Sequence, residues 1–324
     1  MKQFTVGPND AGQRLDRFLR KVCPHLPSAF LQKAIRLKKV RVSGVRAKPD
    51  DHVSEGDAVT VWLEDRYFDA PSPSQAPYSA DALPPLDIVF EDANILLVGK
   101  PAGLSVHADE TNSPDTLIDR ALAYLHQKGD WSPQRENSFA PALCHRLDRN
   151  TMGLVVIAKT APALRVLNEK MRTKEIRKAY LCVVHGMPEP PEGTLRHYLW
   201  KDARRNQVYV RPDRSGGAKT AVTHYQVLDT RGAFSLVRCV LETGRTHQIR
   251  VQLAHAGHPL LGDGKYGVKD NRRHQALCAY SICFHFSPDT ECVGYLSGRS
   301  FTWPSSLSAD ENESISELWS VFDR

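Results

Sequence analysis

The 324 residues are 41% hydrophobic and 25% charged and carry a formal net charge of +6, an ordinary globular balance that excludes collagen-like, low-complexity and wholly disordered chains. No apolar run reaches the length needed to span a bilayer, and the polar start MKQFTVGPND lacks the charged-then-apolar pattern of a secretory leader, so a soluble, cytoplasmic protein with no membrane partner is expected. Seven widely scattered cysteines, an odd number, fit reduced thiols better than a disulfide framework, and the length suggests two domains.

From Gly12 the chain reads GQRLDRFLRKVCP. Leu15, Phe18, Leu19 and Val22 fall at helical spacing, Pro24 supplies a stop, and Arg14, Arg17, Arg20 and Lys21 occupy the other face. A second amphipathic helix, SAFLQKAIRLKKV, starts at Ser28 as N-cap and turns Phe30 or Leu31, with Ala34, Ile35 and Lys38, towards a core. Two short strands follow, VRVSG with its Ser-Gly turn and the alternating GDAVTVWLE. Residues 1–66 hold 13 Lys and Arg against 8 Asp and Glu, while residues 305–324 hold one base against five acids. A basic excess at one end suits an arm for a polyanion, and a solvated charged face is the bland alternative. Residues 67–85, rich in Pro, Ser and Ala, read as an interdomain linker.

The segment GQRLDRFL…SAFLQKAIRLKKVRVSG…GD resembles the small alpha-L RNA-binding module first named from a small-subunit ribosomal protein. The resemblance implies that Arg14, Arg17, Lys33, Arg36, Lys38, Lys39 and Arg41 face RNA phosphates, contacts that give affinity and orientation with little sequence information. Lys39 and Ser43 stand where such modules usually carry Gly and Asn.

Beyond the linker, LDIVFEDANILLVGK offers a β-hairpin around Ile88–Phe90 and Ile95–Val98, followed by a Lys100-Pro-Ala-Gly103 loop that can present its lysine. DTLIDRALAYLHQK is an amphipathic helix with Leu117, Ala121, Leu122 and Leu125 on one face. LCHRLDRNTMGLVVIAKT then places one carboxylate, Asp148, among His145, Arg146 and Arg149, just before a short β-branched run that reads as a buried strand. Nearby positive charge favours the ionised acid. Either a salt-bridge cluster pins a loop here, or the carboxylate acts as a nucleophile towards an electron-poor sugar carbon. In CVLETGRTHQIRVQLAHAGHPLLGDGKYG, Thr246 is a plausible N-cap, Ile249, Leu253 and Ala256 fall at helical spacing, and Gly257 closes the helix. Arg245 would then stand at the helix entrance, either simply as part of a polar helix start or facing Asp148 to hold it ionised and oriented.

Together these segments resemble the RluA-type pseudouridine synthases, on HRLDRNTMG, IRKAYLCVVHG, ETGRTHQIRVQLAHAGHPLLGDGKYG and KPAGLSVH. The resemblance implies an α+β fold: a catalytic domain over residues 86–304 built on a mixed, largely antiparallel sheet with flanking helices, preceded by the small N-terminal domain (1–66) and the linker (67–85) and followed by an acidic C-terminal helix or tail (305–324). It implies that Asp148 acts at the ribosyl anomeric carbon, that Arg245 holds it, and that Tyr180 lies against the target uracil and assists proton removal at C5. Arg146 would enter the RNA where the flipped base had been, with His145, Arg149, Lys100, His247 and Gln248 as further RNA contacts. Isomerisation needs no redox step and no external group, so no cofactor is required; no standard zinc spacing such as CxxC or HExxH occurs, so no metal is expected. The implied partner is structured RNA, large-subunit ribosomal RNA first and transfer RNA second, with a monomer as the default state. Met152, Gln252, Ala108 and Cys278 depart from the family pattern. The tail SADENESISELWSVF reads as a surface helix with Ile315, Leu318, Trp319 and Phe322 packed inward.

Overall fold

The structure, a computed structural model, describes residues 1–23, 26–64, 68, 83–108, 115–268, 272–304 and 315–322. Pro24, most of the 67–85 linker and the acidic start of the tail lie outside the described residues.

The first unit comprises β1 (Lys2–Thr5), α1 (Leu15–Val22), α2 (Ser28–Arg36), β2 (Val40–Val42), β3 (Val45–Arg46) and β4 (Ala58–Val61), its strands forming an antiparallel sheet in the order β1-β4-β2-β3. Leu15, Phe18 and Leu19 from α1 and Leu31, Ala34 and Ile35 from α2 pack on Phe4, Val40, Val59 and Val61, which follows from the helical spacing of the apolar residues. Three details differ from the sequence reading. The cap of α2 is Pro27, with no side-chain cap, rather than Ser28. Lys38 lies outside the helix with φ at 63° and is exposed, because α2 ends at Arg36. Ser43 and Gly44, both at positive φ (48° and 80°), make the tight turn from β2 to β3; the Ser43 hydroxyl donates to Asp57 at 2.8 Å.

The second unit is built on an 11-stranded sheet. In chain order it contains β5 (Asp87–Glu91), β6 (Ile95–Lys100), α3 (Leu117–Lys128), β7 (Ala142–Leu143), β8 (Met152–Ala158), α4 (Ala161–Arg172), β9 (Ile176–His185), β10 (Glu192–Asp202), β11 (Gln207–Arg211), β12 (Lys219–Arg231), β13 (Phe234–Leu241), α5 (Gln248–His255), β14 (Leu277–Phe284), β15 (Ser300–Thr302) and α6 (Ile315–Ser320). The order across the sheet is β11-β10-β12-β13-β9-β14-β8-β6-β5, with β15 on β14 and β7 on β8, and the named pairs are antiparallel except β14 with β8.

The uninterrupted apolar run of β8 is explained by burial on both faces. Val155 and Ile157 share one cluster with Leu96 and Val98 of β6, Tyr180 and Cys182 of β9, and the apolar stripes of α3 and α5. Leu154, Val156 and Ala158 point the other way, against Ile95, Leu97, Ala163 and Leu167 of α4. Gly153, at φ 116°, lies where β8 meets β14, and a Cβ there would stand 2.3 Å from the Ala279 carbonyl oxygen. The backbone units touch through side chains: Asn9 accepts from the Ala161 amide at the start of α4 (2.9 Å) and donates to Glu136 (2.8 Å), and Asn137 donates to the Thr5 carbonyl (2.6 Å).

Met152 and Cys278, two of the departures from the family pattern, stand opposite each other in the β8–β14 pair. Both belong to an apolar cluster with Leu181, Val183, Tyr280 and, from α6 and its end, Leu318 and Phe322. Leu318 and Phe322 thus pack inward as their spacing predicts, and the Trp319 indole donates to Asp229 at 2.7 Å. The Ile315 side chain lies outside the described residues.

Candidate active site

Asp148 lies in the loop between β7 and β8, and the loop is held at several points. The Cys144 amide donates to the Val156 carbonyl (2.9 Å), the Val156 amide donates to His145 Nε2 (3.2 Å), and the Thr151 amide donates to the Asp148 carbonyl (3.0 Å). Lys100, at the end of β6, is fully buried; its ammonium donates to the carbonyls of Pro101 (2.9 Å), Leu104 (2.8 Å) and Arg149 (2.8 Å). Burial pushes its pKa down to about 7, against the opposing charge of Asp148. Lys100 is therefore not an RNA contact, as the loop sequence suggested. Its three N–H groups go to three carbonyls, and they tie the Lys100–Leu104 segment to the loop that carries the acid.

The cation beside Asp148 is Arg250, not Arg245. Arg250 Nη1 lies 3.2 Å from the Asp148 carboxylate, while its Nε and Nη2 make a two-point pair with Asp263 at 2.7 and 2.8 Å. Arg245 instead donates through Nε to the Thr220 carbonyl (3.1 Å) at the open end of β12. The reason lies in where the helix starts. α5 begins at Gln248, with His247 as its cap in the left-handed region (φ 54°), and not after Thr246. Residues Gln248 to Leu253 are all buried, so Arg250 points inward and Arg245 remains on the rim. A signal existed in HQIRVQL: a lone charge flanked by Ile249 and Val251 in an otherwise uncharged, apolar-rich stretch must find a carboxylate once buried. Asp263, 1% exposed, is that carboxylate. Burial pushes its pKa up, but the Arg250 hydrogen bonds and charge, with the Lys265 and Tyr266 amides, bring it below the usual carboxylate value.

His247 also faces the acid, with Nε2 at 3.8 Å from Asp148 and Nδ1 at 2.7 Å from the Tyr266 hydroxyl. Burial lowers its pKa to about 4 despite the Asp148 charge, so at neutral pH the ring is uncharged. Gln248 was expected to contact RNA, but it is 3% exposed and its amide is used up. The oxygen accepts from Thr243 (2.8 Å) and the Arg245 amide (3.0 Å), and the nitrogen donates to Val222 (3.0 Å) and Thr223 (2.9 Å), which sets the turn before α5. Gln252 is buried likewise, on Thr223, Leu195 and Ala221.

Asp148, Tyr180, Lys178, His145, His247 and Arg250 line one cavity of about 540 Å³, whose walls also include apolar side chains such as Leu143, Leu241 and Leu277, within the size range of small-ligand sites. Tyr180 is 6% exposed, and burial followed by the Asp148 charge pushes its phenol pKa up, so it is a neutral phenol at physiological pH. Such a ring suits a wall for a planar ligand better than a proton acceptor. The cavity opens into a larger groove, about 1310 Å³, that shares Asp148, Arg146 and His247 with it and adds Arg149, Lys201, Lys265 and Arg273. Arg146 and Arg149 are exposed, and the Arg149 Nε donates to the Gly103 carbonyl (3.0 Å). Lys178, Arg250, Asp263, Lys201, Lys265 and Arg273 escaped the sequence reading, because only the folded chain brings their four segments to one groove. In the first unit, Arg17, Lys33, Arg36, Lys38, Lys39 and Arg41 are exposed, Arg14 pairs with Asp16 at 3.1 Å, and Arg41 stacks on Trp62 at 5.4 Å.

A carboxylate held by a buried arginine, a neutral tyrosine wall and a basic groove define a site for chemistry on a nucleic-acid base. A sequence model described as RNA pseudouridylate synthase matches residues 94–255, and the chain belongs to that family of isomerases. The chain is 34% identical over 305 residues to "Ribosomal large subunit pseudouridine synthase D" of Neisseria meningitidis serogroup A, covering 90% of this chain and 77% of the relative. It is 35% identical over 268 residues to the protein of the same name from Yersinia pestis, covering 81% and 75%. Among solved structures, "Human RNA Pseudouridylate Synthase Domain Containing 1" superposes with a TM-score of 0.52 at 25% identity, covering 64% of this chain and 81% of that one. Among the described residues, no helix is long and apolar enough to cross a membrane.

Proposed function

We propose that this pseudouridine synthase isomerises specific uridines in large-subunit ribosomal RNA, in the cytoplasm and as a monomer, with Asp148 acting at C1′ of the target ribose. The observation that carries the assignment of the acid is its setting: Asp148 is the carboxylate at the junction of the cavity and the basic groove, and Arg250 fixes its orientation. The C1′–N1 bond breaks, uracil turns within the cavity against Tyr180, and its C5 bonds to the same sugar carbon. The pocket walls hold the free ring close to the sugar between those steps. A base stacked in a helix cannot reach the cavity, so the enzyme takes it out of the stack, and Arg146 at the rim fills the gap. Arg149, Lys201, Lys265 and Arg273 hold phosphates on either side of the target. The ribosomal target follows the names of the relatives.

Release of tritium from RNA labelled at uridine C5 measures the reaction directly. Asp148→Asn should abolish release while leaving RNA affinity nearly unchanged, and retained release sinks the assignment. Mapping pseudouridines in total RNA with and without the gene identifies the target; sites confined to transfer RNA would replace the ribosomal reading. The N-terminal unit is proposed as a phosphate-binding arm. Lys33→Glu with Arg36→Glu should then weaken binding and flatten its salt dependence by about one to two units in log–log slope. An unchanged slope would remove the arm from the RNA.

A further inference from the structure

Strand β9 turns two polar side chains towards the cavity, Lys178 and Tyr180, two residues apart. Among the described residues no acid or hydrogen-bond acceptor pairs with the Lys178 ammonium, which lies part-buried in the cavity wall. Burial alone lowers its pKa to about 8, so it is mostly charged at neutral pH. Its near neighbour is His145, close enough for the lysine charge to oppose protonation of the ring. Because His145 Nε2 accepts from the Val156 amide, the neutral ring carries its proton on Nδ1. That Nδ1 is buried and has no partner at good hydrogen-bond geometry, only a weak contact with the Arg146 backbone.

An unpaired ammonium and a poorly paired N–H in one cavity are each costly to keep. Both are donors, so what completes them is a ligand with acceptor oxygens. The neighbours Leu143, Leu241 and Leu277 and the Tyr180 ring suit a flat ring with carbonyl groups rather than a hydrated phosphate, for which the open groove offers exposed arginines.

We propose that Lys178 is a catalytic residue of the isomerisation: with His145 Nδ1–H beside it, its ammonium receives the carbonyl oxygens of the flipped uracil and stabilises the charge the ring takes when it leaves the sugar. This rests on the isomerase reading above. When C1′–N1 breaks, the electron pair stays on the ring and spreads over N1, O2 and O4, while the Asp148 carboxylate meets the positive charge at C1′. After the ring turns, C5 supplies the pair for the new C5–C1′ bond, C5 loses its proton and N1 gains one. Uridine and its isomer have the same atoms, and Lys178 keeps its proton throughout. A donor placed where charge develops acts in the transition state more than in the ground state.

The test compares full-length wild type, Lys178→Met and Lys178→Arg in single-turnover reaction of an unmodified large-subunit ribosomal RNA transcript, and of the same RNA containing 5-fluorouridine, whose C5 has no proton to lose, so that on it only the breaking of C1′–N1 and the forming of C5–C1′ are followed. Fluorine withdraws electrons, makes the ring a better leaving group and lessens the need for a cation. Lys178→Met should bind RNA and melt like wild type yet convert uridine about 100-fold or more slowly. That deficit should shrink about tenfold on the fluorinated RNA, and Lys178→Arg should retain most of the rate. Lys178→Met matching wild type, or an equal deficit on both RNAs, would overturn this inference alone. Wild type converting neither RNA would overturn it together with the isomerase reading.

Discussion

The two faces of the large sheet use the same strands for opposite purposes. On the catalytic face, Tyr180, Cys182 and Val184 lie in line along β9, and the polar groups Asp148, Arg250, Asp263 and His247 gather over them. On the other face, Leu181 and Val183 of that same strand are sealed by Tyr280, Leu318 and Phe322. One face holds charges fixed by hydrogen bonds, where a change of one atom type matters. The other holds interchangeable apolar volume, where only packing matters. This accounts for Met152 and Cys278: both lie on the sealed face, opposite each other, so their departure from the family pattern alters apolar packing there.

The largest effect should come from the catalytic face. Arg250→Met strips the cation from Asp148 and from the buried Asp263 together, and the loss of a buried partner is expected to cost about 3–5 kcal/mol of stability, along with most of the single-turnover rate. Arg245→Ala removes one rim hydrogen bond to the Thr220 carbonyl and should cost about 1 kcal/mol, weakening RNA binding while bound RNA still turns over. Thermal melting and single-turnover assays on both variants decide the matter; an Arg245→Ala enzyme as damaged as Arg250→Met would reverse their roles. On the sealed face, Leu318→Ala should cost about 2 kcal/mol or more through the cavity it leaves, with the rate per folded molecule unchanged. Met152→Thr, a smaller change in the same cluster, should cost about 1 kcal/mol and likewise spare the rate. A fall in rate without a fall in melting temperature in either variant would show that the two faces are coupled.

Much of the architecture was legible because it is local. The 3.6-residue spacing of Leu15, Phe18 and Leu19 placed α1, the Asp92–Asn94 turn placed the β5–β6 hairpin, and Gly257, at φ 90°, ends α5 as read. Asp148 stood out as the one acid in a basic loop. The errors share a cause. Lys100 was read as a presented loop lysine and Gln248 as an RNA contact, yet each is consumed by near neighbours together with a distant segment, Arg149 for Lys100 and Val222 with Thr223 for Gln248. Nothing within a few residues of either reveals the distant partners.

The sequence by itself determined the family, the α+β class, the position of the proposed catalytic acid and the basic character of the first 66 residues, since these depend on motifs, periodicity and charge that can be counted along the chain. The tertiary structure alone decided which arginine holds Asp148. Arg245 and Arg250 are five residues apart in one motif, and the choice turns on where α5 begins, on its burial against β12, and on the arrival of Asp263 from the following loop. It alone also placed Lys178 and the His145 Nδ1–H in the same cavity, because strand pairing and a loop crossing, set by packing over the whole domain, bring β9 and the Asp148 loop together.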